Sequence, residues 1–322
     1  MRNKLIKLFA SFIAIILISC TSEEIQRAPL VSDVYVSGSK ASHATYWKNN
    51  ILSSLTDVGF SSSSSDTLIV KNNDIHVLGN GFIGGNVKTL YWKNNVLTNL
   101  TDTFSTSTEI ATICSMEVDN NNDVYFAGIT QNISVTPNTY DLVYWMNGIK
   151  YIVDSFTTEP VHLICIKVNN SNIYLTSYGA YYVNGTSYSS TDFIWGVNSS
   201  STDVYLYGRS YVSSVWGSPF YKSITTNVQT NLPSIYVPIY KMCFDNGDVY
   251  AVNELNVYKN GIILYTTPNN SGIESFDFKN NSLYLLNSQA NSTINPSQII
   301  LKDGVTLMQS ASDEIFTSLF VD

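Results

Sequence analysis

Charge is scarce in this 322-residue chain: Asp, Glu, Lys and Arg make up 13% of it, about half the fraction usual in soluble proteins. Its polarity must come from Ser, Thr, Asn and Tyr. Basic residues are the scarcer sign, 17 against 25 acidic, for a formal net charge of -8. That balance argues against nucleic acid as a partner, because nucleic acid rewards basic patches. Histidine occurs three times and cysteine four. No HExxH, GxSxG, P-loop or dinucleotide fingerprint is present, and no cofactor is implied. Eight Pro and 17 Gly exclude collagen-like and linker-dominated chains. Aromatics, by contrast, are plentiful. Twenty-two Tyr and 14 Phe argue against intrinsic disorder, and the length suits one large all-β domain or two smaller ones.

Long hydrophobic runs are also missing after the N-terminus. Arg2, Lys4 and Lys7 precede an apolar-or-small run from Leu8 to Ile18. Its 11 residues fall short of the roughly 20 needed to span a bilayer, so residues 1–19 read as a processing signal. The run ends in Leu17-Ile18-Ser19-Cys20, which resembles the lipobox of bacterial lipoproteins. That resemblance implies cleavage before Cys20, lipidation of its thiol and acylation of the new amine. An ordinary secretory signal with an incidental Cys is the alternative. Ser22-Glu23-Glu24 resembles the Ser-plus-acidic export signal of Bacteroidota-type surface lipoproteins, implying an outer-membrane address exposed at the cell surface; a solvated acidic linker is the bland reading. Processing would remove three of the 17 basic residues and none of the 25 acidic ones, for a charge of about -11. Acyl chains rather than charge would then hold the chain at the membrane. The expected organisation is a signal peptide at 1–19, a lipidated linker at 20–30 and a single domain at 31–322.

Cys114, Cys165 and Cys243 remain, each in an apolar strand-like run. Their odd number, with no CxxC, points to unpaired buried thiols; a Cys114–Cys165 bridge is the alternative.

The strongest signal is an internal repeat. Asp33-Val34-Tyr35 recurs as Asp74-Ile75-His76, Asp123-Val124-Tyr125, Asn172-Ile173-Tyr174, Asp203-Val204-Tyr205, Asp248-Val249-Tyr250 and Ser282-Leu283-Tyr284. The intervals are 41, 49, 49, 31, 45 and 34 residues, in the range of propeller blades. Each unit reads as four strands: an apolar strand, the Asp-Val-Tyr strand, a strand with an aromatic pair such as Tyr46-Trp47, and a fourth after a tight turn. Asn147-Gly148, Asn184-Gly185, Asn260-Gly261 and Asp303-Gly304 suit the positive φ of two-residue type I′ turns. The first unit lacks a good leading strand, and Ile315–Asp322 is an apolar strand with nothing after it. Pairing the two closes a ring. The expectation is an all-β, seven-bladed β-propeller, with six or eight blades as alternatives.

The DVY(V/F)(S/A)G strand, the YWKN(N/G) turn and the Leu-Thr-Asp end resemble poorly characterised extracytoplasmic β-propeller lipoproteins of Bacteroidota-type bacteria. The match is clear in the first three units and degenerates afterwards. It implies a fold and a location, and transfers no catalytic residue.

Several constellations invite chemistry. Asp119-x-Asn121-x-Asp123 matches half a calcium loop, but Val124 and Thr130 stand where the EF-hand needs Gly and an acid. His43, His76 and His162 are scattered, and Gly79–Gly85 reads as a flexible loop. Trp47, Trp92 and Trp145 belong in the core. Long segments between second and third strands leave on the same face as the interblade links, opposite the short turns. The residues there without repeated counterparts are Phe82, Tyr140, Tyr211 and Trp216, and they are the candidate contact residues. Two function classes follow: a monomeric, non-catalytic binding module for a glycan, peptide or partner protein, or a propeller enzyme (lactonase, glycosidase or lyase) with acids at the channel mouth.

Overall fold

A computed structural model describes residues 32–322 apart from 161–162, 178, 213–214, 234–237, 269–270 and 290–296. Cys20 and the expected signal and linker lie outside the described residues, as does His162. Asp33–Asp322 forms one unit, a seven-bladed β-propeller of seven four-stranded antiparallel sheets. Blade one draws its first strand, Glu314–Val321, from the end of the chain and its other three, Val34–Lys40, His43–Lys48 and Ile51–Ser54, from the start. Blades two to seven follow in chain order, beginning with the strands Ser62–Lys71, Glu109–Val118, Cys165–Asn169, Phe193–Ser199, Lys241–Asp245 and Ser271–Lys279. Each first strand contacts the first strands of both neighbouring blades, and the cycle returns to Glu314–Val321.

The core lies in the seams. Seven buried apolar clusters are formed by the described residues, one between each pair of adjacent blades. Trp92 and Trp145 are fully buried and Trp47 nearly so, as expected of the aromatic pairs. Burying a Trp removes roughly 150–250 Å² from water, worth roughly 4–6 kcal/mol at about 25 cal/mol per Å². Phe60 and Phe104, in the interblade links, and Phe156, the last residue of the strand Ile149–Phe156, pack against three successive seams. Phe104 stacks on Trp145 with ring centroids 4.7 Å apart. It ends a five-residue helix, Leu100–Phe104, capped by Asn99, in a stretch that carries no helical periodicity in sequence.

The repeated residues form a clasp in six of the seven blades, blade five being the exception: there the Val204 amide donates to the Asp203 side chain. Asn49, Asn94, Asn147, Asn184, Asn260 and Asp303 all adopt φ near +50°. Each accepts, through its side-chain oxygen, the amide of the middle residue of the Asp-Val-Tyr motif at 2.8–3.1 Å. Four of the Asn side chains also donate to the motif's Asp, as Asn49 does to Asp33 at 2.6 Å. Lys48, Lys93 and Lys259 complete the contact as ion pairs at 2.6–2.8 Å. Hydrogen bonds from Lys48 and Asn49 hold the Asp33 carboxyl below its ordinary range.

The glycine that follows the motif has a steric cause. The first strand of five blades carries a β-bulge, which pushes its backbone toward the second strand. A Cβ on Gly38, Gly79, Gly128 or Gly208 would overlap the carbonyl oxygen of Ile315, Ser64, Thr112 or Phe193. Blade seven keeps the bulge with Asn287 in that place. The Cys114, Cys165 and Cys243 thiols are unpaired and half-buried, and burial pushes the Cys114 thiol up to about 11.

Gly128→Ala is expected to cost about 3 kcal/mol, the upper range for overpacking against fixed atoms. Gly148→Ala, in open space at φ +86°, should cost about 1–2 kcal/mol, the left-handed penalty alone. Denaturant unfolding of the two variants measures the difference, and equal losses would contradict the steric account.

Candidate functional site

The short turns occupy one face. The opposite face carries the connections between second and third strands, and these differ from blade to blade. Of three segments expected as long or flexible loops, two are largely strand and the third is half strand. Asp74–Ile83 and Asn86–Lys93 run as a hairpin through the Gly79–Gly85 segment and turn at Gly84-Gly85. Val124–Asn132 and Thr139–Met146 take in both ends of the Ile129–Tyr140 segment, and the residues between, 133–138, form the loop. In blade five, Val204–Val212 and Val215–Ser223 pair out to Val212 opposite Val215. Cross-strand hydrogen bonding overrides the Gly, Asn and Ser content that reads as loop.

The blade-five hairpin gathers a cluster at its outer end. Tyr211 sits opposite Trp216, with ring centroids 5.1 Å apart in an edge contact. Phe193, which opens the first strand of the same blade, meets both rings at 5.0 and 4.4 Å. The Arg209 guanidinium lies 5.1 Å from the Trp216 ring centroid, and its Nε donates to the Gly217 carbonyl at 2.8 Å. A bulge between Arg209 and Tyr211 re-aims the strand here. Gly217 makes room for it, since a Cβ there would strike Ser210 Oγ. Trp216 remains 44% exposed. Interlocked rings lose little entropy on binding, which suits such a platform to recognition.

The other two candidates stand elsewhere. Phe82, on blade two, is 42% exposed near its hairpin tip, beside exposed Ile83 and opposite exposed Val87. Tyr140, on blade three, is half-buried and packs against the seam of blades three and four; its hydroxyl accepts from Gln131 Nε2 at 3.4 Å. Tyr211 and Trp216 are therefore joined, whereas Phe82 and Tyr140 belong to separate blades. Phe193 carries no signal as a site residue because it occupies an ordinary apolar strand position, and Arg209 reads only as the start of the Arg209–Ser218 connection.

The remaining motifs have structural partners. Asp119 accepts the amides of Asn121 and Asp123 at 2.8 and 2.9 Å, and Asp123 accepts from Asn147. His43 Nδ1 lies 2.7 Å from Asp57, which also accepts from Ser63. His76 is fully buried against Tyr91, 2.7 Å from its hydroxyl, and burial pushes its pKa down. Among the described residues, no group of three His, Cys, Asp or Glu side chains is placed to hold a metal ion.

The central channel is a cavity of about 480 Å³ lined by the first strands of all seven blades. It is not apolar. Asp66, Glu117, Lys167, Lys241, Glu274 and Asp277 line it. Lys167 pairs with Glu117 at 2.9 Å across blades three and four, and Glu274 accepts from Gln298 at 3.1 Å. Asp66 accepts from Asn80 at 2.5 Å, and burial raises its pKa.

No protein-family model matches the chain, and no curated protein matches it in sequence. Among solved structures it is similar to an acylaminoacyl peptidase of Pyrococcus horikoshii, with a TM-score of 0.50 and 11% identity over 85% of this chain and 50% of that one. It is also similar to a prolyl endopeptidase, with a TM-score of 0.49 and 10% identity over 77% of this chain and 43% of that one. The chain spans half or less of those proteins' length. At such identity the likeness is one of propeller fold alone.

Proposed function

We propose that this chain is a lipid-anchored cell-envelope protein whose propeller captures a glycan, peptide or partner protein without chemical turnover. The observation that carries the reading is the blade-five cluster: Trp216 half-exposed, Tyr211 and Phe193 interlocked with it, and Arg209 over its ring. Aromatic and Arg side chains supply most of the energy at recognition surfaces. Phe82 and its apolar neighbours extend the same face on blade two. The first strand of blade one aside, the propeller begins at Asp33, beside the Asn49 turn on the short-turn face. Anchorage through Cys20 is compatible with a free hairpin face, an outer-membrane address and a monomeric protein.

A glycan and peptide array with the purified protein tests the site. Trp216→Ala combined with Tyr211→Ala should abolish the captured signal while circular dichroism stays unchanged. Full binding by that double variant would place the recognition surface elsewhere.

The address is tested separately. Cys20→Ser should remove acyl labelling and release the protein from the membrane fraction with the propeller intact. Unchanged membrane retention would refute the anchor.

A further inference from the structure

A lysine and an aspartate line the channel without forming an ion pair with one another. Lys241, on the first strand of blade six, donates to Ser275 Oγ at 3.0 Å and to the Leu319 carbonyl at 2.9 Å. Both acceptors are uncharged. Asp277, on the first strand of blade seven, accepts the amides of Phe278 and Val321, each at 2.9 Å. Among the described residues neither Lys241 nor Asp277 makes an ion pair, yet they line one cavity. They are near enough to act on one another: the Asp277 charge works to raise the Lys241 pKa, and the Lys241 charge to lower that of Asp277. In both groups burial opposes this and is the larger effect.

Counting donors and acceptors defines what would fit. An ammonium has three N–H donors, of which two are used; a carboxylate offers about four lone-pair sites, of which two are used. Lys241 therefore retains one unused N–H donor and Asp277 about two unused acceptor positions, and both residues line the same cavity. A simple anion would meet Asp66, Glu117, Glu274 and Asp277 around the cavity, and a simple cation would have to approach Lys241. A molecule carrying both charges avoids each repulsion. The volume of about 480 Å³ lies within the range of small-ligand sites.

We propose that the channel binds a small zwitterion of the α-amino acid class, its carboxylate on Lys241 and its ammonium on Asp277. This site is separate from the hairpin face and stands independently of the function proposed there. A buried charge without a full complement of partners is costly, so a ligand that pairs both groups is favoured over one that pairs either alone.

Isothermal titration calorimetry of the purified protein with each of the 20 common α-amino acids, and with propionate and ethylammonium as its two halves, tests this. At least one amino acid should bind about tenfold more tightly than either half. Asp277→Asn should weaken that amino acid about tenfold and turn the preference toward propionate; Lys241→Met should weaken it and turn the preference toward ethylammonium. Trp216→Ala should change neither, which separates this site from the hairpin face. No amino-acid binding, or binding indifferent to both channel substitutions, would overturn the proposal. Both residues also contact the closing strand, so crystals of the unaltered protein soaked in the amino acid provide a second readout. Density between Lys241 and Asp277 supports the site, and density elsewhere or none overturns it.

Discussion

The pairing of Glu314–Val321 with Val34–Lys40 is the contact on which the rest of the propeller depends. It joins residues about 280 positions apart in sequence, as in the register of Val34 with Val321 and Tyr35 with Phe320. Without it, blade one has three strands and the ring has two open sides. The strand's other edge is satisfied by side chains of blade seven. Gln298 accepts the Phe316 amide at 2.6 Å and returns a bond to its carbonyl at 2.8 Å, Ser275 accepts the Leu319 amide, and Asp277 accepts that of Val321. Phe316 packs on Trp47 with centroids 4.8 Å apart. An innermost strand that would otherwise present unpaired amides to the channel is thereby fixed on both edges.

Closure divides the molecule into parts that must stay alike and parts free to differ. Seams and short turns are repeated because each blade must present the same surface to its neighbour. The clasp of Asp33, Asn49 and Lys48 recurs in blades two and six with the same three residue types. The hairpin ends lie outside this requirement, and there blade five builds its aromatic cluster. The channel differs for another reason. Its wall takes side chains from every blade, so charges distant in sequence meet there without any one repeat encoding the arrangement.

Much of this order was legible in the residues. Positive φ at Asn-Gly and Asp-Gly, the period of the Asp-Val-Tyr motif and the orphan strand at Ile315–Asp322 led directly to seven blades and their closure. The blade-five pair Tyr211 and Trp216 stood out because nothing in the other units corresponds to it. Other features left no local trace. Arg209–Ser218 reads as a loop because Ser213-Ser214 and Gly217-Ser218 punctuate it, while cross-strand bonds hold most of it extended. Phe193 looks like any apolar strand residue until folding brings it against Trp216. The relation of Lys241 to Asp277 depends on two adjacent first strands and on the closing strand between their partners. Such contacts are products of the ring, so single-unit patterns do not announce them.

Native-state hydrogen exchange across Glu314–Val321 tests the closure most directly, because local and global opening give different rates at the same amide. If the terminal strand locks the ring, its amides exchange only with global unfolding, at the same limiting rate as those of Val124–Asn132 in blade three. Faster exchange confined to Glu314–Val321, with blade three still protected, would show a strand that comes and goes on a ring held by other means.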